Sequence, residues 1–408
     1  FSDAIYGKEK DRRYVCKSRL VKMLEKEYSL LEERLDRENY KDTRYFAFAD
    51  TVTTINYDKT KNGHGWIGIR FQISPESPPN DFLIHVRLKD QEAKIQQETI
   101  GIIGTNLIHA CFNVTNPKVI LQHLYDNLSR DNFEIDMVEV LGDDFEKIDN
   151  RLLSLTLVKE NMTNAVIFTP DGKNKYPSDI LHKKNILTLR GSFRPVTKVN
   201  IDMLSNGLAK FKENKKVDED NIQILIEITL SNLKAEGEVN ERDFLDRADI
   251  LCSLGYTVMI SNYKKYYKLT EYLSQYTNAR MGLIIGVDNL VSMFEEKYYR
   301  NLNGGIMEAF GIIVTRDIKI YLYPYQPDIH HELQNSSNIP IHPRAKSIYN
   351  YLYSNKRIED IEYNSEFLNI FSKDVLNKIK SGEVGSWEHM VPDGVADIIK
   401  ERSLFGMI

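Results

Sequence analysis

From Leu181 onward the sequence keeps a regular alternation, and this alternation limits the fold more than any other feature. Short runs dominated by Ile, Leu and Val ("NILTL", "IQILIEITL", "YTVMIS", "MGLIIG", "IKIYLYP") are separated by longer amphipathic segments ("IDMLSNGLAKFKEN", "ERDFLDRADILCSLG", "YKKYYKLTEYLSQYT", "NLVSMFEEKYYRNL"). A strand that is apolar along its whole length must be covered on both faces. The pattern therefore predicts an α/β domain with a parallel sheet between two layers of helix. A mostly helical tail, about His342 to Ile408, closes the chain.

The residues before Leu181 follow a different pattern. Charged residues with apolar ones at helical spacing ("RLVKMLEKEYSLLEERL") predict one long amphipathic helix from about Tyr6 to Arg37, suited to packing on a partner. Strand-like runs follow ("RYFAFADTV", "GWIGIRFQI", "DFLIHVRL"), the last two separated by the turn signal "SPESPPND". Next come "ETIGIIGTNLIHACF", a helix at "PKVILQHLYDNLS", and strands at "FEIDMVEVLG", "LLSLTLV" and "NAVIFTP". The expected organisation is a mixed α+β domain at residues 1–180 followed by a Rossmann-like α/β domain at 181–408, which suits a chain of 408 residues.

Composition narrows the function. A net charge of −5 and a pI of about 6.1 argue against a dominant nucleic-acid or anionic-membrane surface. No run approaches the roughly 18 apolar residues of a membrane-spanning helix. Cys16, Cys111 and Cys252 are odd in number and widely spaced, as expected for reduced thiols in a cytoplasmic protein. The sequence opens at Phe1 rather than Met, which leaves room for a preceding segment, a targeting signal included.

The first strand of the α/β region runs into "RGSFRPVTKVN", a Gly-Ser turn before a helix. In open parallel sheets ligands sit beyond the carboxyl ends of the strands, at such turns. Gly191 allows close backbone approach, Ser192 can cap or donate, Arg190 and Arg194 add positive charge, and the next helix offers free N–H groups to an anion. Taken alone, the turn reads first as an ordinary loop with Pro195 at the helix start.

The longer spelling resembles the "GSFxPxHxGH" or "GSFxPxTxxH" signature of the nicotinamide/nicotinate mononucleotide adenylyltransferases, with Gly191, Ser192, Phe193, Pro195 and Thr197 in register. "LIIGVDNL" looks like that family's "IIGADxL", with Asp288 and Asn289 at the nucleotide site and Phe294, Tyr298 and Tyr299 where an aromatic often meets the pyridine ring. The tail "IFSKDVLNKIKSGEVGSWEHMVPDGV" resembles the family ending "ISSTxIRxxIxxGxxxxxLVPxxV", matching at Ile370, Ser372, Val375, Gly382, Val391, Pro392 and Val395. The resemblance spans about Lys184 to the C terminus and leaves residues 1–180 without a counterpart.

The resemblance implies adenylyl transfer, in which a mononucleotide phosphate attacks the α-phosphorus of ATP and pyrophosphate leaves. ATP and Mg²⁺ would be the cofactors, the reaction belongs to NAD biosynthesis, and no enzyme nucleophile is needed. The departures fall on the charged groups. Asn200 stands at the second His of the signature, Leu376 at the Arg of the tail motif and Lys373 at its Thr. Asn keeps a hydrogen bond and loses a positive charge, and removal of one such group lowers rates by about 10²–10³. Lys373, Arg190 or Arg194 are the candidates to replace the missing charge. The implied catalytic residues are thus Asn200, Thr197 and Lys373. The implied nucleotide-binding residues are Gly191, Ser192, Phe193, Arg190, Arg194, Asp288, Asn289 and Ser372, with no protein metal ligand.

Other features have plainer readings. His64, His85 and His109 lack metal-ligand spacing and read as core or surface residues, and His330–His331 as solvated loop. Asp50 reads as a turn or cap residue. "LNGGIMEAFG" is either a flexible connection or an anion nest carrying Glu308. The aromatic run "NYKKYYKLTEYLSQY" reads as packing plus solvated Lys. "YTNAR", with Thr277 and Arg280, lies between a helix and the next strand, the wrong place for the missing Thr and Arg. Two functions remain: an adenylyltransferase-like enzyme, or a nucleotide-sensing or self-assembling scaffold that lost the chemistry, with a homo-oligomer expected. Neither reading expects a membrane or nucleic-acid partner.

Overall fold

The computed structural model describes residues 2–9, 14–35, 41–234, 239–315, 318–328, 330–383 and 385–407. The chain divides into two units, Phe1–Val166 and Ile167–Ile408.

In the first unit, β1 (Phe46–Thr53), β2 (His64–Phe71), β3 (Asn80–Leu88) and β4 (Phe133–Leu141) form an antiparallel sheet in chain order. Instead of one helix from Tyr6 to Arg37 there are two, Ser2–Tyr6 and Lys17–Arg34. Gly7 takes φ +81°, a left-handed conformation that stops a helix and favours glycine; Arg37 lies outside the described residues. Leu20, Leu24 and Tyr28 of the second helix are buried, and that helix packs on β1 and β2. "ETIGIIGTNLIHACF" lies in helix Ala93–Asn113.

The expected strand "LLSLTLV" is a helix, Asn150–Lys159. Its Leu/Ser/Leu/Thr order imitates strand alternation. The deciding signal is Asp149, which caps the helix by accepting the Arg151 N–H at 2.9 Å. Six successive residues, Leu153 to Val158, are buried, so a continuous apolar run identifies burial and not period.

One irregularity interrupts the sheet. His85 lies opposite Met137 and Val86 opposite Ile135, which leaves Asp136 as an extra residue on β4. Such bulges re-aim a side chain.

The second unit is built on an eight-stranded sheet. β5 (Ala165–Phe168), within which the unit boundary falls, pairs antiparallel with β6 (Asn174–Lys175). Then come β7 (Asn185–Arg190), β8 (Ile222–Thr229), β9 (Thr257–Ser261), β10 (Met281–Gly286), β11 (Lys319–Tyr323) and β12 (Ile358–Asp360). The spatial order is β12-β11-β10-β7-β8-β9-β5-β6. All pairings from β9 across to β12 are parallel. Residues 167–180, expected with the first region, therefore belong to the second unit. β6 is only two residues long and leaves no periodic signal.

β7 starts the parallel series, β8 and β9 extend it on one side, and β10 to β12 extend it on the other. The order reverses between β7 and β10, which opens a crevice at their carboxyl ends. Helix Lys198–Lys212 lies against β7, β10 and β11. Its approach needs Gly207, because a Cβ there would come within 2.5 Å of Ile284 Cδ1. Burial of Leu187, Leu204, Phe211 and Ile284 in this layer contributes about 1.5–3 kcal/mol each.

Further helices are Glu241–Ser253, Tyr266–Leu273, Val287–Met293 and Gly305–Thr315. The expected helix "NLVSMFEEKYYRNL" ends at Met293, whose carbonyl accepts the Tyr299 hydroxyl at 2.6 Å. The tail adds helices Lys346–Ser354, Ser372–Lys380 and Val395–Glu401 around the unexpected short strand β12. Among the described residues, no helix is long and apolar enough to cross a membrane.

Candidate functional site

Arg190 ends β7 directly opposite Glu227 on β8. The guanidinium donates to both carboxylate oxygens, Nε to Oε2 at 2.7 Å and Nη2 to Oε1 at 2.9 Å. Ser261 Oγ, from β9, donates to Oε1 at 2.5 Å. Glu227 is wholly buried, and a buried carboxylate requires such a partner. The Arg190 guanidinium also lies over the Tyr266 ring, 4.3 Å from its centroid. Arg190 is thus the counter-charge of a cross-strand network, and its positive charge is largely cancelled.

The Gly-Ser turn is fixed by the same neighbourhood. The Gly191 N–H donates to the Glu227 carbonyl at 3.1 Å, and Asn232 Nδ2 donates to the Gly191 carbonyl at 2.9 Å. Phe193 is buried at φ +48° and folds its ring under Gly191, where a Cβ would lie 2.8 Å from Phe193 Cζ. Ser192 is exposed, and its carbonyl accepts Arg247 Nη1 at 3.1 Å. Arg247 and Arg194 both hold Asp243, Arg194 Nε at 2.6 Å, which clamps the turn onto helix Glu241–Ser253. Arg194 lines a separate cavity of about 450 Å³ with Asp243, Asp246 and Lys380.

Thr197 is buried and precedes helix Lys198–Lys212. Its N–H and hydroxyl both donate to Asn200 Oδ1, at 2.9 and 3.0 Å. That contact fixes which end of the amide is oxygen and leaves Nδ2 as the donor Asn200 can still offer.

Across the reversal, Gly286 starts helix Val287–Met293, and Asp288 and Asn289 are exposed in its first turn. Asn289 lines a cleft of about 270 Å³ between the carboxyl ends of β7, β8 and β9 and this helix, a little below the ~300 Å³ of small-molecule sites. Arg190, Thr229, Asn232, Lys264, Lys265, Tyr266 and Tyr298 form much of its wall. Of the sequence candidates, the cleft thus gathers Arg190, Asn289, Tyr298 and Tyr299. Gly191 adjoins it through Asn232. Ser372 and Lys373 begin helix Ser372–Lys380 and do not line it, while Leu376 is buried.

The aromatic candidates divide. Tyr298 lines the cleft with Lys265 Nζ 3.4 Å from its ring centroid. Phe294 is a core residue stacked on Phe310 at 4.6 Å. Lys264, Lys265, Tyr266, Asn232 and Glu227 carry no motif. The available signals were a Glu inside an apolar strand and the rule that strand carboxyl ends bind ligands. Burial pushes the Tyr266 phenol up to about 12, so it stays a donor. Its hydroxyl is buried without a hydrogen-bond partner among the described residues.

In the first unit His64 and His85 do meet. His85 is wholly buried, with Nδ1 2.6 Å from Asp136 Oδ1 and Nε2 3.2 Å from His64 Nδ1. The bulge brings Asp136 to this position. Burial, then the His85 ring, lowers His64 to about 4, so it is neutral at physiological pH. His109, His330 and His331 are exposed. Asp50 sits inside β1 and is neither turn nor cap. Glu308 accepts the Gly304 N–H at 2.8 Å within its own loop. Arg280 lies at the amino end of β10. The three cysteines form no disulfide. Among the described residues, no three His, Cys, Asp or Glu side chains converge to hold a metal ion.

The chain matches no protein-family model, and comparison with curated protein sequences gives no match.

Proposed function

We propose that the second unit is a Rossmann-like, nucleotidylyltransferase-type domain that binds a nucleotide in the cleft beside the β7/β10 reversal. One observation carries this reading: a polar and aromatic cleft lies beyond the carboxyl ends of β7, β8 and β9, where doubly wound sheets take their ligands. The "GSF", "PVT" and "GVDNL" spellings agree with it. The associated reaction is adenylyl transfer from ATP to nicotinamide or nicotinate mononucleotide. A phosphate oxygen of the mononucleotide bonds to the α-phosphorus, the bond to the bridging oxygen breaks, and pyrophosphate leaves. Mg²⁺ would travel on the nucleotide phosphates, since it is commonly held by substrate oxygens and few carboxylates.

The second reading, a nucleotide-binding scaffold without chemistry, is favoured by Asn200 and Leu376. The first has its amide oxygen committed to Thr197, and the second is buried where the family motif has Arg. Titration calorimetry with ATP and each mononucleotide, followed by a pyrophosphate-release assay, separates the two. Binding with release supports the enzyme, and binding without release supports the scaffold. Absence of binding to any nucleotide overturns both.

A further inference from the structure

Among the described residues, two cations at the cleft, Lys264 and Lys265, have no carboxylate in ion-pair contact. Both follow β9 and line the cleft. Arg190 is cancelled by Glu227, and Arg194 is held by Asp243 in another cavity. The positive charge that remains for a ligand in this cleft therefore comes from β9 and not from the Gly-Ser turn. Lys265 rests on the Tyr298 ring, which fixes its ammonium while leaving its hydrogens without a carboxylate acceptor. Burial, then Lys264, lowers its affinity for its proton, Lys297 adds to the shift, and Glu295 opposes it. The buried Tyr266 hydroxyl, a donor without an acceptor, belongs to the next residue.

We infer that Lys264 and Lys265 form the phosphate subsite of this cleft, taking a phosphate or pyrophosphate group of the ligand beside Tyr266 and Tyr298. The inference rests on the nucleotide reading only for the identity of the rest of the ligand; the subsite itself is defined by its charge. An exposed ammonium at Lys264 and a half-buried one at Lys265 attract a polyanion more strongly than a neutralised arginine does. The ligand's phosphates then point toward the β9 end, and its remaining part lies toward Asn289 and the β7/β10 reversal.

The test uses the full chain with inorganic pyrophosphate, AMP and adenosine as probes, measured by calorimetry at fixed ionic strength. Wild type is compared with the Lys264→Gln/Lys265→Gln double variant and with Lys264→Arg/Lys265→Arg. Unfolding midpoints check that each variant is folded. The expected result is pyrophosphate and AMP affinity reduced at least about tenfold in the Gln variant, as for loss of a charged hydrogen bond. Adenosine affinity should stay unchanged, and the Arg variant should retain binding. Equal pyrophosphate and AMP affinity in wild type and the Gln variant would overturn the subsite while leaving nucleotide binding intact. Lysine-dependent pyrophosphate binding with no binding of AMP or adenosine would uphold the subsite and overturn the nucleotide reading. Absence of pyrophosphate binding to the wild type would overturn the subsite.

Discussion

Arg190 and Glu227, directly opposite on adjacent parallel strands, form a two-point ion pair whose arginine lines the cleft. Removing one member leaves the other charged and buried. Glu227→Ala is expected to destabilise the second unit by about 3–5 kcal/mol, read as a lower midpoint in chemical denaturation. Double replacement by Arg190→Met and Glu227→Leu should recover most of that loss.

Tyr266 has a buried hydroxyl without a partner. If ligand binding supplies the missing acceptor, the free protein carries an unsatisfied group that the complex does not. Tyr266→Phe should therefore raise the unfolding free energy of the free protein by about 1 kcal/mol while weakening pyrophosphate binding. Loss of stability together with unchanged binding would mark the hydroxyl as purely structural.

Gly191 has no room for a side chain above the Phe193 ring. Gly191→Val is expected to destabilise by about 1–3 kcal/mol through overpacking and to abolish nucleotide binding with the sheet still folded, as judged by far-UV circular dichroism and calorimetry. Combining it with Phe193→Leu should restore part of the stability.

His64 gives the first unit a defined acid response. In the folded state it titrates at about 4, facing His85, Asp136 and Arg87, whereas an unfolded histidine titrates near 6.5. Between those values the unfolded chain takes up a proton that the fold refuses. The stabilising contribution is thus complete above about 6.5 and disappears as pH falls through 4. His64→Gln should reduce the loss of stability over this window by about 1–2 kcal/mol, less than full linkage because the ring is partly exposed. Denaturation curves at pH 7, 5.5 and 4 for both proteins measure the difference.

Much of the second unit was legible in its residues. β7 to β11 coincide with the uninterrupted Ile/Leu/Val runs because strands covered on both faces must be apolar throughout. β6 and β12 were not legible, being too short for any period, and neither was helix Asn150–Lys159, whose alternating Leu, Ser and Thr mimic a strand. For the cleft, the motif spellings led to Arg190, Gly191 and Asn289. Lys264 and Lys265 stayed hidden because "NYKKYYKL" looks like a solvated helix face, whereas the helix starts only at Tyr266 and leaves both lysines in the turn after β9. In the sequence Asn200 stands where the resembled signature has a histidine. Its cap contact with Thr197 emerges only once the helix start is located. The pairing of His64, His85 and Asp136 depends on a bulge that has no sequence signature.

The central claim is tested most directly by a crystal structure of the full chain grown with ATP and a mononucleotide. The expected result is nucleotide density at the carboxyl ends of β7 to β10, with phosphates within hydrogen-bond distance of Lys264 and Lys265. Nucleotide bound elsewhere, or an empty cleft at saturating concentration in solution-verified conditions, would contradict the account.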